Sequence, residues 1–114
     1  MMPLELSKLA NQRGGEASQY KTVLASQTTA PIGLVSTGKV GDYIDSMTVI
    51  PNSSTAGAVT LFDGTTAVIS IPAVAAGTVG TPSPYSLYLG MRAQSRWNIT
   101  TGTSVSVLVI GSFK

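Results

Sequence analysis

From Tyr20 onward, apolar and polar residues alternate in short runs with a period of two, and no stretch keeps the 3.6-residue period of an amphipathic helix. The clearest run is Thr103 to Phe113. There Val105, Val107 and Val109 share one face, Ser104 and Ser106 begin the other, and Leu108 and Ile110 continue it, which predicts a strand covered on both faces toward its end. A shorter strand, Arg96 to Thr100, puts Trp97 and Ile99 on one side, and Thr101-Gly102 reads as a tight connection joining the two strands into a C-terminal hairpin. In that hairpin Trp97 would oppose Val105 or Val107 and belong to the core. A second hairpin is predicted for Ala58 to Phe62 and Ala67 to Ile71. Its turn is Asp63-Gly64-Thr65-Thr66, where glycine can take the positive φ a hairpin loop demands.

Asp42 to Ile50 forms another strand, stopped by Pro51-Asn52, and Pro84 to Met91 alternates Tyr85, Leu87 and Leu89 against Ser86 and Tyr88. Tyr20 to Ala25 and Ile32 to Val35 bring the set to about eight short strands, which predicts an all-β, two-sheet sandwich of jelly-roll type, with an open barrel as the alternative. The stretch Ala73 to Pro84 lacks large apolar side chains and reads as a surface loop. Residues 1–19 differ in character: Pro3 and Gly14-Gly15 break them, and Leu4, Leu6 and Leu9 have no neighbouring run to pair with. They read as an N-terminal arm ahead of a sandwich domain spanning 20–114. Leu6 and Leu9 would fit one helical turn, which is marginal in water without a docking surface. Such an arm either reaches a partner or folds back over its own sandwich.

Composition narrows what this fold can do. The chain has 114 residues, room for one core, with neither cysteine nor histidine. Thiolate metal sites, disulfides and the commonest general base are therefore absent. Of the five carboxylates, only Asp42 and Asp45 are close in sequence, and three apart on a strand they would point to opposite faces. Asp63 reads as a turn residue bonding local amides. Thr37-Gly38-Lys39-Val40-Gly41 lacks the spacing of a phosphate loop. The expectation is a protein that is not an enzyme and binds no cofactor or metal. Seven basic and five acidic residues, against 14 serines and 14 threonines, make a neutral hydroxyl-rich surface. That is a weak basis for binding nucleic acid. No window holds the roughly 18 to 20 unbroken apolar residues of a membrane helix, and the N-terminus lacks the pattern of a secretion signal, so a soluble protein without a membrane or targeting segment is expected.

The stretch Gly41 to Pro51, the Phe62-Asp63-Gly64 turn, and Arg96-Trp97-Asn98-Ile99-Thr100-Thr101-Gly102 with the following Thr103 to Val107 resemble small proteins encoded by tailed bacteriophages, among them head decoration or cement proteins. The resemblance covers the last three quarters of the chain. It implies a sandwich that self-associates as a dimer or trimer on the outer surface of the virion's capsid and bridges neighbouring copies of the major capsid protein. The partner contacts then expected are Leu4, Leu6, Leu9 and Arg13 on the arm, with Arg92 and Arg96 beside Trp97, since arginine's planar fork suits carboxylates on a partner. Two other readings stay open: a carbohydrate- or receptor-binding module of a phage fibre, using Trp97, Tyr85 and Tyr88 as a platform, and a head-tail adaptor.

Overall fold

The structure is a computed structural model that describes residues 19–33 and 38–113. The proposed arm, with Leu4, Leu6, Leu9 and Arg13, lies outside the described residues, and β1 begins at Gln19. Eight strands follow in order: β1 (Gln19–Val23), β2 (Ala30–Ile32), β3 (Tyr43–Pro51), β4 (Val59–Asp63), β5 (Thr66–Ile71), β6 (Tyr85–Arg92), β7 (Trp97–Thr101) and β8 (Val105–Ser112). There is no helix among the described residues.

The strands form two four-stranded antiparallel sheets, ordered β1-β8-β3-β6 and β2-β7-β4-β5. Within them β1 pairs with β8, β2 with β7, β3 with β6 and β4 with β5. The chain therefore behaves as one long hairpin, with its tip at Gly64-Thr65, rolled so that successive strand pairs fall alternately in the two sheets. That is the jelly-roll arrangement expected from the strand count and turn spacing.

Alternation along each strand explains the roll. The inward face of the first sheet carries Val23, Ile44, Met47, Val49, Val105, Val107 and Val109. The second answers with Ile32, Val59, Leu61, Trp97 and Ile99, all of them buried. Each such valine, leucine or isoleucine contributes about 1.5 to 3 kcal/mol relative to an exposed one. A strand with this pattern is stable only when an opposing sheet covers its apolar face. Trp97 is 1% exposed, and its indole N–H donates to the carbonyl of Asp42 at 2.8 Å, so the one polar atom of the ring is satisfied inside the core.

The structure corrects the predicted C-terminal hairpin. β7 pairs with β2 and β4, β8 pairs with β1 and β3, and residues 102–104 carry the chain from one sheet to the other. Trp97 lies beside Ile32 and Asp63, and shares the core with the β8 valines instead of opposing them along a ladder. The arch is held by the β1–β2 loop, where Ser26 N–H donates to the carbonyl of Gly102 at 2.8 Å, and by the β3–β4 loop. Gly57 N–H donates to the carbonyl of Thr103 at 2.8 Å and Gly102 N–H to that of Ala58 at 2.7 Å. The arch and the β3–β4 loop touch backbone to backbone, and a Cβ on Gly102 would come within 2.8 Å of the Gly57 Cα. Only glycines permit that approach.

The predicted β4–β5 hairpin is present, with Val68 forming a bulge on β5. Leu108 and Ile110 face outward and are half-buried, not fully covered as the periodicity predicts. Residues 72–84 form no strand and are mostly exposed, though Val74 packs on the core and its N–H donates to the carbonyl of Ala56.

Candidate interaction surfaces and a binding groove

Each sheet turns one face outward, and these two faces differ. On the first sheet, cross-strand register aligns Tyr20, Ile110, Ser46 and Tyr88 in one row and Thr22, Leu108, Thr48 and Ser86 in the next. None of these eight residues is charged. The hydroxyls of Thr48 and Ser86 bond each other at 2.8 Å. Tyr20 and Tyr88 stand at the two edges, 74% and 85% exposed. Three strand spacings of about 4.8 Å put their backbones roughly 14 Å apart, so the rings flank the half-buried Ile110 and do not stack on each other. The result is a flat face with an apolar centre and aromatic edges.

Among the described residues, charge appears at one end of that face. The Arg92 guanidinium lies 5.2 Å from the centre of the Tyr43 ring and donates to the carbonyl of Gly41 at 3.2 Å. The Tyr43 hydroxyl in turn donates to Asp45 at 3.5 Å. Arg92 is thus exposed but held in place, with donors still available to a partner.

The outward face of the second sheet is concave. A groove of about 530 Å³ runs over it, walled by Thr28, Thr29, Pro31, Thr65, Asn98 and Thr100, with the half-buried Phe62 as its aromatic surface and Arg96 among its linings. Its rim is fixed by a carboxylate that acts at long range. Asp63 Oδ1 accepts from the N–H groups of Ser95 (2.8 Å) and Arg96 (3.0 Å), and Oδ2 from that of Gln94 (2.8 Å). Gly64 N–H donates to the carbonyl of Arg96 at 2.7 Å. The tip of the β4–β5 hairpin and the β6–β7 loop are thereby locked together. Gly64 has φ +64 and would bring a Cβ within 3.0 Å of the Ser95 hydroxyl, so both its backbone angle and its space favour glycine. Inside the groove the Asn98 amide donates to the carbonyl of Gly64 at 3.1 Å, and the Thr100 hydroxyl to that of Thr28 at 2.6 Å. These bonds orient the side chains before anything binds.

Of the expected contact residues, Arg92 and Arg96 are both exposed; Arg92 ends β6 and lies over Tyr43, whereas Arg96, in the loop before β7, lines the groove of the other sheet. Trp97 is buried and drops out of the aromatic platform, whereas Tyr85 and Tyr88 are exposed. Asp42 is fully buried: its Oδ2 accepts from Lys39 N–H at 2.9 Å, and its carbonyl accepts from Ala93 N–H and from Trp97, which closes the loop before β3. Among the described residues no group of three or more His, Cys, Asp or Glu side chains could hold a metal ion. The groove residues went unnoticed in the sequence because threonine and asparagine on a strand read as an ordinary solvated face. The available signal was Asn98, a polar residue between two core residues.

The fold and these surfaces define an eight-stranded jelly-roll sandwich with two outward faces capable of contact. Comparison with protein-family models, with curated proteins and with solved structures gives no match for this chain.

Proposed function

We propose that this chain is a structural virion protein, a decoration or cement protein that binds the outside of the major capsid lattice of a tailed phage and stabilises the head. The observation that carries this reading is the outward face of the β1-β8-β3-β6 sheet, uncharged across two full rows and edged by Tyr20 and Tyr88. Tyrosine gives large contact area with little side-chain entropy to lose, and interface cores are poor in charge. The jelly roll, an architecture that recurs in viral capsid domains, and the sequence resemblance to phage decoration proteins point the same way.

In this account the flat face meets a capsid subunit or a sister protomer, Arg92 pairs with a carboxylate at its end, and residues 1–18 extend the contact through Leu4, Leu6, Leu9 and Arg13. Repetition over a multivalent shell raises avidity without requiring any single strong contact. The test is heat inactivation of heads assembled with and without the protein. Heads lacking it should release DNA at a lower temperature, and adding the purified protein back should restore the difference. Identical inactivation curves would reject the cement role.

A further inference from the structure

We infer that the groove on the β2-β7-β4-β5 sheet is a binding site for an acidic saccharide, a pyranose chain carrying a carboxylate. This goes beyond the decoration role and uses the other sheet. Three features of the groove select that chemistry. Phe62 presents a half-buried aromatic ring in a wall that also holds Pro31, an apolar surface that suits the C–H face of a sugar ring. Around it stand hydroxyl and amide groups, Thr28, Thr29, Thr65, Asn98 and Thr100, able to donate to and accept from sugar hydroxyls.

Asn98 is 7% exposed, and its amide nitrogen bonds Gly64, which holds its carbonyl oxygen in a fixed orientation as an acceptor. The third feature is charge. Among the described residues, Arg96 is the one charged residue lining the groove. The Asp63 carboxylate has both oxygens occupied by backbone amides, one of them Arg96's own N–H, which anchors the arginine backbone, and the Arg96 side chain is exposed. A planar guanidinium at the edge of a neutral, hydroxyl-lined groove matches a sugar carboxylate by a two-pronged hydrogen bond.

The site differs from the aromatic platform considered on Trp97, Tyr85 and Tyr88. It also binds through few groups, so its affinity per saccharide is weak, and many copies on one shell would compensate.

The test is an NMR titration of the ¹⁵N-labelled full chain with tetragalacturonate, with maltotetraose as the neutral saccharide and tetraglutamate as the acidic non-saccharide, each to about 10 mM, a range that captures millimolar affinity. The expected result is saturable shifts of the amides of residues 28–29, 62–65 and 96–100 with tetragalacturonate. Binding should weaken about tenfold or more in Arg96→Gln, as for a lost charge-assisted bond, and at least as much in Phe62→Ala. Maltotetraose should shift the same amides at lower affinity. The dispersion of each variant's ¹⁵N spectrum confirms that it is folded; should Phe62→Ala fail to fold, Thr65→Trp, which blocks the exposed wall, replaces it with the same expected loss. Absence of saturable shifts with either saccharide overturns the inference. So does tetraglutamate binding as tightly as tetragalacturonate at the same amides, which would show an anion held by an arginine and nothing more.

Discussion

Asp63 offers the sharpest test of how the fold holds its rim. Replacing it with alanine removes three bonds between a carboxylate and backbone N–H groups, those of Gln94, Ser95 and Arg96. Hydrogen bonds to charged groups contribute about 1.5 to 3 kcal/mol each, but these amides lie near the surface and water replaces part of the loss, so the total is about 3 kcal/mol. That is a large share of the 5 to 15 kcal/mol typical of a domain. With a urea slope of about 1 to 1.5 kcal/mol per molar for a chain of this size, the midpoint should fall by roughly 2 to 3 M. Asp63→Asn should fall between the two: its Oδ1 still accepts from Ser95 and Arg96, while its NH₂ faces the Gln94 N–H donor to donor. Trp97 is the only tryptophan and is fully buried, so its emission reports unfolding directly. A midpoint for Asp63→Ala within about 0.3 M of the wild-type value, at unchanged slope, would refute the claim that this carboxylate ties the hairpin tip to the β6–β7 loop.

Three further outcomes follow from the structure. Gly102→Val should cost about 3 kcal/mol or more, because its Cβ would collide with Gly57 where two backbones touch; a thermal melt by circular dichroism measures it. Trp97→Phe removes one of two donors to the Asp42 carbonyl, which keeps the Ala93 N–H, and should cost about 0.5 to 1.5 kcal/mol beyond the lost packing, read by urea unfolding with far-ultraviolet detection. Deleting residues 1–18 keeps Gln19, whose side chain accepts from Phe113 N–H, and should leave the melting temperature within a few degrees while abolishing binding to heads. Retained binding would remove the arm from the account.

Much of the sandwich was legible because its local signals agree with its tertiary structure. Asp63-Gly64 marked the β4–β5 turn, and the valines of β8 marked a core face. The sheet assignment of β7 and β8 was not legible, since a hairpin within one sheet and an arch between two present the same alternation and the same short glycine-bearing connection. What decides between them is the Gly57–Gly102 contact, which joins residues 45 positions apart. β2 begins at Ala30, two residues before the Ile32 that the apolar run predicts, and so includes Pro31. On an edge strand the missing N–H costs little, and Pro31 sits mid-strand at the edge of its sheet. Asp63 was read as serving its own turn, but its partners lie about thirty residues away, and that distance is invisible to any local rule. The exposed arginines were identifiable as cations. Which sheet each belongs to follows only from the topology.

The measurement that bears most directly on the proposed role is a binding isotherm of the purified protein on heads that lack it, read as copies bound per major capsid subunit. A lattice-bound cement protein saturates at a fixed small-integer ratio to the capsid subunits, and a Tyr20→Ser/Tyr88→Ser double variant, altered only at the edges of the flat face, binds far more weakly. Saturation at the few copies of a single vertex, or unchanged binding by the double variant, would contradict the account.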